Sequence, residues 1–175
     1  MSESYVQVVL REFRRSKALA DGAMAQISDE QFFACPTEAD NSIAIIVKHV
    51  GGNLLSRWTE FLTSDGEKQS RNRDAEFRLT AEDTRAKLIE LWESGWTALF
   101  AAIEPLRDSD MERIVTIRGE SLTVLQAVNR QLTHYAYHAG QIVYVAKHYR
   151  GPAWRTLSIP LGRSDEFNRS PARYI

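Results

Sequence analysis

Cysteine is nearly absent from this chain: among 175 residues, Cys35 stands alone. A lone thiol excludes an intrachain disulfide and any zinc site built on cysteine. Its setting, Phe32-Phe33-Ala34-Cys35-Pro36, predicts a half-buried structural thiol rather than a nucleophile. An excess of one charge is also lacking, since 22 lysines and arginines face 23 aspartates and glutamates, for a net charge of −1. No global basic field therefore draws the chain to nucleic acid or to an anionic membrane. No apolar run approaches the roughly 20 residues that a bilayer requires. The opening MSESYVQVVLREFRRS is too broken by charge to read as a signal peptide, so the expected compartment is the cytoplasm. The sequence contains no HExxH, no GxSxG and no phosphate-binding loop, which removes the peptidase, serine-hydrolase and nucleotide-hydrolase templates.

Proline is sparse as well, and three of the five prolines fall in the last 25 residues. Long stretches are thus free to be helical. Residues 4–26 carry an apolar stripe of Tyr5, Val6, Val9, Leu10, Phe13, Leu19 and Met24, with a solvated face of Arg11, Arg14, Arg15 and Lys17. Ser28 to Gln31 reads as a capping box for a short helical turn that ends before Pro36. Asn41-Ser42 starts a second helix running to Ser64, with Ile43, Ile46, Val47, Val50, Leu54, Trp58 and Phe61 inward. The pair Gly51-Gly52 weakens this helix by about 1 kcal/mol each, so close approach of a neighbouring helix is the expected return. Residues 63–78 are polar and charged and read as a long connection. Thr80 with Asp83 is expected to open a third helix that runs to Ile103, its inner face marked by Leu88, Leu91, Trp92, Trp96, Leu99, Phe100 and Ile103.

The alternation of Ile114, Val115, Thr116 and Ile117 before Arg118-Gly119 predicts a small β-hairpin or extended arm. From Leu122 to Arg150 apolar residues recur at helical spacing without a proline, with Ser121 or Thr123 as the cap and Gly151-Pro152 as the stop. The tail shows no helical period, and Trp154, Leu157, Ile159 and Phe167 are expected to pack it onto the rest. The fold class is all-α: four main helices in a single domain, 1–175, forming a four-helix bundle with the arm before the last helix.

His134 and His138 lie four apart in the last helix, one turn above the other on one face. Two imidazoles so placed can reach one metal ion, and two core histidines bonded to their neighbours would show the same spacing. A third ligand decides between these readings. His49 sits beside the buried stripe of the second helix, next to its glycines, and is the natural candidate. His148 lies ten residues beyond His138, about 15 Å along a helix, too far to share the ion. Three imidazoles with no thiolate leave at least one coordination position open, the mark of a reactive rather than a structural site. Imidazole suits zinc and nickel, and also iron, manganese and cobalt. Gln141 and Asn53 each read either as supports for a ligand or a water, or as ordinary polar residues. Tyr135 and Tyr137 are expected in core or dimer packing, and Arg163 and Asn168 are candidates to close over a pocket mouth.

His49 in an apolar second helix, HxxxH in a long last helix and the arm before it resemble the DinB/YfiT-like superfamily. The segment HAGQIVYVAKHYRG followed by LSIPLGRSDEFN is similar to one uncharacterised branch with a Ser-Ile-Pro tail. The resemblance implies an up-down-down-up four-helix bundle, a homodimer, and a divalent metal on His49, His134 and His138, with zinc or nickel foremost. It also implies a small-molecule substrate and a transferase that activates a low-molecular-weight thiol, as in mycothiol-dependent maleylpyruvate isomerase and the bacillithiol S-transferases. A metal-dependent hydrolase, or a dimeric metal- or ligand-binding protein without turnover, would use the same residues.

Overall fold

The computed structural model describes residues 3–169 and is mostly helical. Four long helices dominate: α1 (Tyr5–Met24), α3 (Ile43–Trp58), α4 (Arg85–Ile103) and α5 (Val124–Arg150). A short α2 (Asp29–Phe33) follows α1, and α6 (Ser164–Arg169) lies in the tail. The hairpin precedes α5 as β1 (Ile114–Ile117) and β2 (Glu120–Thr123), paired antiparallel with Val115 opposite Leu122. Its two-residue turn, Arg118-Gly119, has φ of 56° and 74°. Both values are positive, as a turn matching the twist of two strands requires, and glycine fills the second place without strain.

Each long helix begins on a side chain that satisfies its first free N–H groups. Ser4 caps α1, Ser42 caps α3 and Thr84 caps α4. Thr123 and Gln126 cap α5 reciprocally, at 3.1 and 2.8 Å. Ser28 and Gln31 form the same box on α2.

One aromatic ring from each long helix meets in the core: Phe13 of α1, Trp58 of α3, Trp96 of α4 and Tyr135 of α5. Phe13 lies 6.2, 6.4 and 6.0 Å from the other three, and Trp96 lies 5.5 Å from Tyr135. Such edge and tilted pairs add about 0.5–1.5 kcal/mol each beyond burial. The Tyr135 hydroxyl accepts from Trp58 Nε1 at 3.0 Å and donates to Asn53 Oδ1 at 3.0 Å. This buried relay fixes the rotation of α5, and so decides where the neighbouring residue His134 points. Helix α3 packs chiefly on α4, and α1 chiefly on α5.

Gly51 and Gly95 make the first of these contacts possible. A Cβ on Gly51 would lie 2.7 Å from Leu91 Cγ and 3.2 Å from the Leu91 carbonyl, and one on Gly95 would lie 2.7 Å from Leu54 Cβ. The close approach expected of Gly51 is therefore present.

Several boundaries differ from the sequence expectation. Helix α3 stops at Trp58 rather than Ser64, because the chain reverses through Glu60 at φ 52°. Helix α4 starts at Arg85 instead of Thr80. Asp83 Oδ2 folds back onto the Thr80 amide at 2.7 Å and accepts from Lys48 at 2.8 Å, closing a local turn rather than a helix cap. Cys35 is exposed, not half-buried. The tail is not free of helix: α6 forms within it, while Trp154 and Leu157 pack on the core as expected. Arg163 pairs with Glu166 on the surface, and Asn168 is exposed. Residues 170–175 lie outside the described residues. No helix among the described residues is long and apolar enough to cross a membrane.

Candidate metal centre

His49 projects from the middle of α3, and His134 and His138 from the middle of α5. The fold brings the three together and leaves His148 exposed near the far end of α5. His134 Nε2 is the central atom, 3.1 Å from His138 Nε2 and 3.4 Å from His49 Nε2. Two nitrogens bound to one ion at about 2.0–2.1 Å stand about 3.0 Å apart at a right angle and about 3.4 Å apart at the tetrahedral angle. The observed separations fall in that range.

The outer nitrogens explain why. His49 Nδ1 lies 2.8 Å from Glu76 Oε2, and a carboxylate can only accept, so His49 donates there and offers a lone pair at Nε2. His138 Nδ1 lies 2.7 Å from Gln141 Oε1, which turns its Nε2 lone pair inward in the same way. Gln141 is itself held through its Nε2, which donates to Tyr137 at 3.0 Å. His134 Nε2 thus faces two lone pairs and has at most one proton to give. A cation among the three nitrogens resolves that conflict, and the donor set fits a divalent metal ion. The group of His49, His134 and His138 could hold a metal ion.

The electrostatics agree with neutral ligands. Burial lowers the His134 pKa to about 3, helped by His138, His49 and two nearby arginines. Burial lowers His138 to about 4, against the opposing effect of its bond to Gln141. Metal binding needs deprotonated imidazole, and the burial of these two favours that form.

Glu76 was not apparent from the sequence. It lies in a 3-10 turn (Arg73–Phe77) that Asn72 caps, inside the polar stretch read as a connection. That stretch wraps along α3. Burial alone would raise the Glu76 carboxyl, but hydrogen bonds from His49 and Arg71 outweigh it and hold the group below its ordinary value. Arg71 grips Glu76 with two bonds, Nε to Oε1 at 2.7 Å and Nη2 to Oε2 at 2.8 Å. The Phe77 ring lies tilted against the His49 imidazole, 4.7 Å between ring centres. Gly52 is the signal that could have located Glu76, since a Cβ there would collide with its carboxylate. The two adjacent glycines therefore serve different neighbours, Gly51 the helix α4 and Gly52 the glutamate.

Of the remaining candidates, Gln141 touches a histidine and Asn53 does not, its Oδ1 being taken by Tyr135. Tyr135 is core, whereas Tyr137 is exposed and holds Gln141. Beside His49 and His134 opens a cavity of about 190 Å³, lined almost entirely by polar and charged side chains.

A family model matches residues 1–163, a span that includes all three histidines, Glu76 and Gln141. The chain belongs to the family described as protein of unknown function DUF1572. No curated protein and no solved structure matches it. Within this DUF1572 chain the matched span ends just before α6, so the centre and the helices that carry it belong to the family's own extent.

Proposed function

We propose that this chain is a metal-dependent enzyme of the DinB-like kind, an up-down-down-up four-helix bundle whose His49, His134 and His138 hold a divalent ion. Its reaction would be transfer of a low-molecular-weight thiol to a small electrophile. The observation that carries the metal reading is the meeting of three Nε2 atoms, two of them with lone pairs fixed inward by Glu76 and Gln141. Zinc or nickel suits three imidazoles best, with iron, manganese and cobalt as alternatives. When bound, such an ion lowers the pKa of a thiol or water in its open position.

The chain's own residues do the rest. Glu76 and Gln141 orient two ligand rings, Phe77 covers the back of His49, and the cavity beside His49 and His134 receives the substrate. The choice of a thiol rests on the resemblance to thiol-dependent members of the superfamily. A homodimer fits the outer face of α5, where Tyr137 and Tyr144, seven residues apart, are 60% and 76% exposed.

The test is turnover by zinc- or nickel-loaded protein in a screen of thiols against electrophiles. Product that requires thiol and vanishes in His138→Ala supports the transferase. Product formed without any thiol assigns the centre to hydrolysis. Saturable ligand binding with no product in any metal form makes the protein a metal- or ligand-binding module.

A further inference from the structure

The cavity beside His49 and His134 carries a concentration of positive charge that the chain as a whole, at net −1, does not. Among the described residues, Arg57, Arg71, Arg73, Arg118 and Arg130 all line it, and no carboxylate does. The carboxylates behind the wall do not balance them. Glu67 Oε2 is shared by Arg57 at 2.8 Å, Arg71 at 3.1 Å and Arg118 at 3.2 Å. Glu76 is occupied by Arg71 and His49. Arg73 and Arg130 have only loose, exposed ion-pair partners, Asp74 at 3.6 Å and Glu120 at 3.5 Å, and Arg73 also lies over the Phe77 ring at 4.9 Å. One lining donor is also buried and unmatched: Arg57, 5% exposed, has no partner for Nε among the described residues. Buried donors of that kind are ordinarily satisfied. Guanidinium groups present paired N–H donors in a fork that fits two oxygens of a carboxylate or phosphate.

We infer that this cavity binds the oxyanion of a small acidic substrate, a carboxylate or a phosphate, and holds its reacting end against the histidine centre. The inference deepens the metal-centre reading and rests on it for the placement of that reacting end. At about 190 Å³ the space suits a small acid rather than a nucleotide or a long chain. Arg57 and Arg71 form the fixed wall. Arg73 comes from the 3-10 turn, Arg118 from the hairpin turn and Arg130 from α5, so three separate segments of chain would close on one anion. This also gives the hairpin a role, since it delivers Arg118 to the mouth of the cavity.

The test uses the full chain, zinc-loaded, in low-chloride buffer, titrated calorimetrically with succinate, inorganic phosphate and uncharged succinamide. Arg73→Gln, Arg118→Gln and Arg130→Gln alter half-exposed side chains and leave the buried wall intact, and Arg113→Gln on the far side of the hairpin is the control. Succinate or phosphate should bind saturably and succinamide should not. Whichever binds tighter identifies the source of the oxyanion. Each cavity variant should weaken binding by about tenfold, the loss of one charge-assisted hydrogen bond, and Arg113→Gln should not change it. Zinc content measured in every variant separates the two readings. Arginine-dependent binding in protein that takes up no zinc would sustain the anion site while removing the metal centre. Oxyanions that bind no better than succinamide overturn the inference. So does binding that is unchanged in all three variants, or that is lost only when zinc is stripped.

Discussion

His49 Nδ1 stands 2.8 Å from Oε2 of Glu76, a residue 27 positions later in the chain, and both side chains are buried. This contact ties an unpromising polar segment to the centre. It sets the tautomer of His49, points its lone pair inward, and passes the carboxylate's charge on to Arg71. Outer partners of this kind typically govern metal affinity by 10- to 100-fold. Glu76→Gln should lower zinc affinity by about that much, measured against a competing chelator, while the helices persist by circular dichroism. Glu76→Ala should also destabilise the fold by roughly 3–5 kcal/mol, because Arg71 would be left buried without its main partner. Unchanged zinc affinity in both variants would reduce Glu76 to a structural anchor for the 3-10 turn.

Two glycines in helices should respond in opposite directions to the same change. Replacing Gly51 by alanine puts a methyl 2.7 Å from Leu91 Cγ and against the Leu91 backbone. The overpacking costs about 1–3 kcal/mol, which exceeds or offsets the roughly 1 kcal/mol gained in helix propensity. Gly140 has nothing within 4 Å of where a Cβ would lie. Gly140→Ala should therefore stabilise by up to about 1 kcal/mol. Thermal unfolding of the two variants checks the sign of each, and a stabilised Gly51→Ala would contradict the close packing of α3 on α4.

Acid should act on the metal-free protein through His134 and His138. Their native pKa values are lowered by burial to about 3 and about 4, whereas an unfolded histidine titrates near 6.5. Below about pH 6.5 the unfolded chain takes up protons that the native state refuses, so stability falls as the pH falls, down to the native pKa values. Above about 6.5 both forms are neutral, and these two groups add no pH dependence. The unfolding midpoint of metal-free protein should decline from pH 7 to 5, and less steeply in His134→Gln. An equally steep decline in that variant would assign the acid sensitivity to other groups.

The helices were largely legible in the sequence because capping and apolar periodicity are local signals. Ser42, Thr123 and the Arg118-Gly119 turn each sit where those signals place them. The boundaries at Trp58 and Arg85 were not legible. Apolar Phe61 and Leu62 continue the period past the end of α3, and the Thr80–Asp83 pair imitates a cap while making a turn. The three histidines were found because two share a helix face and the third adjoins glycines in an apolar helix. Glu76, Arg71 and Glu67 were not, since charged residues in a polar stretch look alike whether solvated or buried. Only the fold shows that Arg71 and Glu76 are among the buried ones.

The most direct test is the metal content of purified protein and its alanine variants at each histidine. His49→Ala, His134→Ala and His138→Ala should each lose most of the bound ion, because two imidazoles hold a divalent cation far less tightly than three. His148→Ala should keep it, since that side chain is exposed and lies about 15 Å along α5 from His138. All four should keep their helical circular dichroism, because the core is carried by the aromatic and aliphatic faces of four helices and not by the ion. Full metal occupancy in His49→Ala, with the fold intact, would contradict the three-histidine centre.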